Sequence, residues 1–225
     1  MTQNITGYTI EDIQRFKNMC EDNTNWKLVY KKGDNEIYSQ KGDGATAKFK
    51  CISYQSKEYE PEHIFSAYCD RDYCKTQKSN DVLFEVIKQI DCCNEIIHRA
   101  QKMPAISLRD FVYKFIRYHN KENTEFIIFS ESIDYDVPLM KDATRGHINT
   151  QGTYIKKTEN GSMLCCYSDI NLKGNVPSSL FGDLMVKKIG KTMLENSKEI
   201  VANYEKYKKE HENDEKWWLK TLDWM

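Results

Sequence analysis

Arg109-Asp110-Phe111-Val112-Tyr113-Lys114-Phe115 is the stretch on which the fold turns. Successive side chains of an extended chain point to opposite faces. Arg109, Phe111, Tyr113 and Phe115 therefore share one face, and Lys114 lies on the other. A face carrying one cation and three aromatics needs a covering layer. Around this stretch, strands are predicted over Val82 to Ile90, Asn94 to Lys102, Phe111 to Tyr118, Glu125 to Ser132, Ile148 to Lys157 and Met163 to Ile170. Phe126, Ile128 and Ser130 form a second inward row on the next strand. Near the start, Trp26 to Tyr30 and Glu36 to Gln40 flank the turn Lys32-Gly33-Asp34-Asn35, and Ala45 to Tyr54 follows. Helical spacing appears three times. Thr9 opens an amphipathic helix through Ile10, Ile13, Phe16 and Cys20, and Pro61 opens a short one through Ile64, Phe65 and Tyr68. After Pro177, the residues Leu180, Phe181, Leu184, Met185, Ile189, Met193, Ile200, Val201 and Tyr204 mark one long C-terminal helix. The plan is α+β, a curved antiparallel sheet of nine strands wrapped around the last helix.

Composition narrows the function. The 225 residues carry 33 basic and 34 acidic side chains, a net charge of -1, so there is no overall attraction to a phosphate backbone and no nucleic-acid partner is expected. The 14 Tyr and 9 Phe in a chain that is 30% charged require that apolar surface be gathered in one place. Residues Met1 to Ile10 lack the basic and apolar regions of a signal peptide, and no apolar run reaches the ~20 residues of a membrane span. The expectation is a cytoplasmic protein. Its eight cysteines include the adjacent pairs Cys92-Cys93 and Cys165-Cys166, lack a Cys-x-x-Cys and have no histidine at zinc-like spacing, and so read as reduced thiols. No nucleotide-binding loop, nucleophile elbow or histidine motif is present, so neither a cofactor nor catalysis is expected. His98 is the one histidine with a place beside Glu95 or Arg99 in a cavity, and it leaves an enzyme as a third reading.

Met103-Pro104-Ala105-Ile106-Ser107-Leu108-Arg109-Asp110-Phe111 resembles the signature of the START lipid-transfer domain family. Arg145-Gly146, Gly152-Thr153-Tyr154 and Asn171-Leu172-Lys173-Gly174-Asn175-Val176-Pro177 are similar to that family's late strands and its approach to the C-terminal helix, in the same order. The resemblance covers Ile10 to Tyr207. It implies a helix-grip fold over residues 1–209 with one lipid in an internal tunnel, and a Trp-rich extension over 210–225.

Such a tunnel has a physical rationale, since exposing an acyl chain of ~16 methylenes would cost about 13 kcal/mol at about 0.8 kcal/mol per methylene. By resemblance, Phe111, Tyr113 and Phe115 line it, with Met103, Phe126, Ile128 and Tyr167 around them and Phe181 and Met185 at the start of the last helix. Arg109 either binds a lipid phosphate, as the matching arginine does in phospholipid-binding members, or pairs with Asp110 or Glu95. Choline-binding members use an aromatic cage, where this chain has Met103 and Ser168; sterol-binding members use an acid and an arginine, where it has Glu95 and Phe115. Tyr135, Val137, Leu139 and Met140 form a candidate gate that either touches a membrane surface transiently or packs on the body. Trp217 and Trp218 of the extension either dock on the domain or meet a membrane. The expected function is phospholipid transfer between membranes, with lipid sensing through an unidentified protein partner as the alternative.

Overall fold

The computed structural model describes residues 5–42, 45–55, 58–77, 79–103, 106–177 and 182–222. Helix α1 (Ile10–Glu21) begins at Thr9, whose hydroxyl accepts from the Asp12 backbone while the Asp12 carboxylate accepts from the Thr9 backbone. Three strands follow, β1 (Lys27–Lys32), β2 (Asn35–Gln40) and β3 (Thr46–Gln55). Next come α2 (Pro61–Cys69), opened by Pro61, and a six-residue α3 (Arg71–Thr76), whose first turn is capped by the Asp70 carboxylate. The remaining strands are β4 (Asp81–Gln89), β5 (Asn94–Met103), β6 (Ile106–His119), β7 (Glu125–Ser132), β8 (Ala143–Arg145), β9 (His147–Thr158) and β10 (Gly161–Asn171). Helix α4 (Asp183–Glu210) and a 3-10 turn at Trp217–Leu219 complete the chain.

All ten strands of the described residues join one sheet in the order β1-β2-β3-β10-β9-β7-β6-β5-β4, with the short β8 pairing parallel to β6. This is the expected α+β helix-grip plan. Three details differ. The strand predicted from Phe111 starts five residues earlier, at Ile106, and β8 and α3 have no sequence signal, because three or six residues are too few to show a period. The start of the last helix at Leu180 and Phe181 lies outside the described residues.

The sheet is covered on both faces. Helix α1 seals the outer one: Phe16 stacks on Phe129 at 4.8 Å, and Ile13, Ile116, Ile127, Tyr154 and Cys165 complete a buried layer. Gly152 makes this approach possible, because a Cβ there would stand 2.6 Å from the Phe16 ring. Helices α2 and α4 cover the inner face. Ile64, Phe65 and Val201 pack on Phe126, Ile155 and Leu164, while Val186 and Leu194 pack on Ile37, Phe49 and Cys51. Among the described residues, no helix is long and apolar enough to cross a membrane.

Candidate functional site

Strand pairing fixes which side chains face inward. Phe115 lies opposite Glu95 on one side and Ser130 on the other, Arg117 opposite Ile128, and Ile128 opposite Thr153. Directly paired residues share a face. Ile128, Thr153 and Cys166 thus run across the centre of the sheet on the face that α2 and α4 cover. All three retain accessible surface there, as do Phe115, Gln151 and the α2 residue Tyr68, whereas Ile127, Tyr154 and Cys165 beside them on the outer face are 0% exposed. The surrounding protein still pushes the Cys166 thiol up to about 11 and raises the Tyr68 hydroxyl. The inner face is thus less tightly covered than the outer one along this row, which makes it the candidate ligand site.

A charged pole stands beside this row. Glu95 is 1% exposed and accepts two hydrogen bonds from Arg117, at 2.9 and 3.3 Å, and a third from Arg71 at the start of α3. Arg117 also donates to the Cys92 carbonyl at 3.2 Å, while its buried Nε has no partner among the described residues. Trp217 of the extension lies against both guanidiniums, with its ring centroid 4.5 Å from Arg71 and 4.6 Å from Arg117. Two guanidiniums share one carboxylate, so one positive charge is unbalanced at the edge of this row.

The residues expected at the site divide into groups. Phe111, Tyr113, Phe115 and Met103 lie on the inner face with Ile97 and Ile170, and Ile128 lies in the open row. Phe126 faces inward too, but it is packed beneath Phe65 of α2 at a ring distance of 5.0 Å. Tyr167 is a correction: it faces α1, edge-on to Phe16 and Trp26, because the outer face of β10 is also apolar and alternation alone does not choose between the two. Phe181 lies outside the described residues, and Met185 is half-buried in the first turn of α4.

The donors of Arg109 are taken up within the protein. Its guanidinium donates to the carbonyls of Leu172 and Ser107 and to the Ser107 hydroxyl, all at 2.7 Å, and to the carbonyl of Lys173 at 3.3 Å. It pairs with neither Asp110 nor Glu95. Desolvation lowers its proton affinity, and backbone carbonyls provide its compensation. Asp110 is fully buried on the opposite face, where it pairs with His98 Nε2 at 2.9 Å and Arg145 Nε at 2.7 Å and accepts the Met140 N–H at 2.9 Å. His98 consequently does not enter the cavity beside Glu95. Phe111 completes the set, because a Cβ on Gly146 would stand 2.3 Å from its ring. The Arg109-Asp110-Phe111 motif thus fastens the β8 region and the β10–α4 turn to β6.

Asp110 and Arg145 also hold the expected gate. Arg145 donates to the Val137 carbonyl at 3.2 Å, leaving Tyr135, Val137 and Met140 half-buried and Leu139 52% exposed. Asn171 forms an Asx turn, its side chain accepting from the Lys173 N–H at 2.9 Å, with Lys173 and Gly174 at φ of 52° and 65°. The missed residues are Arg117 and Arg71. Arg117 continues the stride of Arg109, Phe111, Tyr113 and Phe115 by one step, whereas nothing in the sequence joins Arg71 to Glu95.

Comparison with known proteins gives a consistent result. The START domain model matches residues 10–217. The crystal structure of human STARD10 superposes with a TM-score of 0.81 at 17% identity, covering 97% of this chain and 90% of that one. Human StAR-related lipid transfer protein 5 gives 0.70 at 15% identity, over 87% and 94% of the two chains. The lipid transfer and protein localization domain of human StarD13 gives 0.63 at 16% identity, over 89% and 98%. No curated protein matches by sequence.

Proposed function

The chain belongs to the START domain family, and from that premise we propose that it binds one phospholipid between the sheet and α4 and carries it through the cytoplasm between membranes. The observation that supports this most is the unbalanced cationic pole of Arg71, Arg117 and Glu95 at the edge of an enclosed row of accessible side chains. A phosphodiester carries the one negative charge that the pole lacks, and guanidiniums bind such oxygens through directed hydrogen bonds. Thr153 and Gln151 lie next along the row and suit the ester groups beside a phosphate. Phe111, Tyr113, Phe115, Ile97 and Ile170 offer an apolar bed for acyl chains. Two of the similar structures are named for lipid transfer, which agrees with the same use of the fold.

The mechanism follows from what closes the space. Residues 133–142, held by Asp110 and Arg145, and the first turn of α4 at Met185 are the segments that release to admit lipid, and exposed Leu139 is placed to touch the bilayer. Residues 1–209 form the carrier and 210–225 an extension. We read the protein as a carrier rather than a catalyst: Glu95 is committed to two arginines, and His98 to Asp110 on the other face. The position of Trp217 on both arginines favours a second reading, in which lipid occupancy is signalled to a partner through the extension.

The test is transfer of labelled phospholipid and labelled diacylglycerol between vesicles. Wild type should accelerate phospholipid transfer, and Arg117→Met should reduce it at least about tenfold. Arg71→Met, at a side chain 33% exposed, keeps the test valid if the Arg117 variant does not fold. Failure of wild type to move phospholipid, or equal movement of diacylglycerol that Arg71→Met leaves unchanged, would overturn the proposal.

A further inference from the structure

The turn between β4 and β5 gathers three metal-type donors. Asp91, Cys92 and Cys93 follow one another, their donor atoms lie within 4.8 Å of each other, and among the described residues they are the one such group. The two sulfurs are 3.4 Å apart. The backbone of the C-terminal extension closes over them, with the Lys220 carbonyl oxygen 3.0 Å from Cys93 Sγ and the Thr221 carbonyl oxygen 3.3 Å from Cys92 Sγ. Two thiols, a carboxylate and two carbonyls thus converge from two distant parts of the chain.

The spacing suits one tetrahedral ion. With Zn–S of about 2.3 Å and Zn–O of about 2.0 Å, tetrahedral zinc separates two sulfurs by about 3.8 Å and a sulfur from an oxygen by about 3.5 Å. The sulfur–sulfur and sulfur–carbonyl distances lie within about 0.5 Å of those edges, so small side-chain rotations suffice. Asp91 Oδ1 accepts the N–H groups of Cys93 and Asn94, whereas Oδ2 accepts the Asn94 side-chain amide at 2.9 Å and keeps a lone pair for an ion. Adjacent cysteines are poorly disposed to bridge one another as a disulfide, whereas chelation of a thiophilic ion needs no bond between them.

We infer that Asp91, Cys92 and Cys93, with the Lys220 carbonyl as fourth ligand, form a zinc site that locks the C-terminal extension onto the body. Binding displaces one proton from each thiol to solvent, forms two Zn–S bonds and replaces the thiol–carbonyl contacts with Zn–S and Zn–O bonds; no electrons are transferred. The site is independent of the lipid reading, although the chain it locks also carries Trp217 to Arg71 and Arg117.

The test uses the full chain kept reduced by a phosphine, titrated with zinc against a chromophoric chelator and with cadmium for its thiolate charge-transfer absorption. One ion per chain should bind, and Cys92→Ser should abolish binding. Cys74→Ser, at an exposed cysteine outside the cluster, should leave it unchanged. Cys92 is only half-buried, so its variant should fold even if Cys93→Ser does not. Truncation after Leu219 should weaken binding by about tenfold or more, and zinc should slow proteolysis of the extension. No bound ion, equal binding by Cys92→Ser, or affinity unaffected by the truncation would overturn the inference.

Discussion

Glu95 is the one carboxylate shared by two guanidiniums from different elements, and it is almost wholly buried. Removing its charge leaves Arg117 buried without a counter-ion, a change that costs about 3–5 kcal/mol in comparable sites. Glu95→Gln should lower unfolding stability by that amount in urea titration, and Arg71→Met by much less, because Arg71 reaches solvent. Much of this pole was legible. The sequence marks Glu95 as a candidate, and the alternation that places Phe111, Tyr113 and Phe115 inward extends unbroken to Arg117. Arg109 stands out in the sequence because it sits in the family signature; its burial beneath the β10–α4 turn, where carbonyls occupy its donors, is a tertiary fact with no local signal. Arg71 was not readable, since its contact with Glu95 joins α3 to β5 across 24 residues. Tyr167 was misplaced for another reason: β10 is apolar on both faces, which removes the contrast that alternation needs.

Helix α4 approaches the sheet through Gly190. A Cβ there would stand 2.7 Å from Ile37 Cδ1, so Gly190→Ala should push α4 off β2 and cost about 1–3 kcal/mol, measured by thermal or urea unfolding. The long apolar stripe of α4 was plain in the sequence; the need for a small residue at its closest approach was not, because it depends on which strand lies beneath. His63 links α2 to α4 through Nε2 donating to the Val201 carbonyl at 3.1 Å, and burial holds its proton affinity below the ordinary value despite Glu205 nearby. The unfolded chain, titrating near 6.5, takes up this proton first as pH falls. The stability His63 contributes is therefore complete above about pH 6.5 and lost progressively below it. His63→Gln should flatten the fall in melting temperature between about pH 7.5 and about pH 5.5.

At the scale of the molecule, one sheet holds two different layers, a sealed one beneath α1 and a less tightly covered one beneath α2 and α4. Trp217, Trp218 and Leu219 of the extension belong to the second, whereas Leu222 packs on the first. Trp218 is 5% exposed among Ile64, Phe65 and Val201 and donates to the Ser66 hydroxyl at 3.0 Å, so of the two sequence-level alternatives the structure shows docking on the domain itself. Trp218→Ala should cost about 3–5 kcal/mol, read by urea unfolding. The composition pointed to an aromatic core but left its partition between faces open, since that depends on which strands pair. Native mass spectrometry of the full chain as purified from cells tests most directly whether the inner layer is a lipid compartment. A single bound phospholipid per chain, lost in Arg71→Met, is the predicted result. A bare chain that remains bare after incubation with phospholipid vesicles would contradict it.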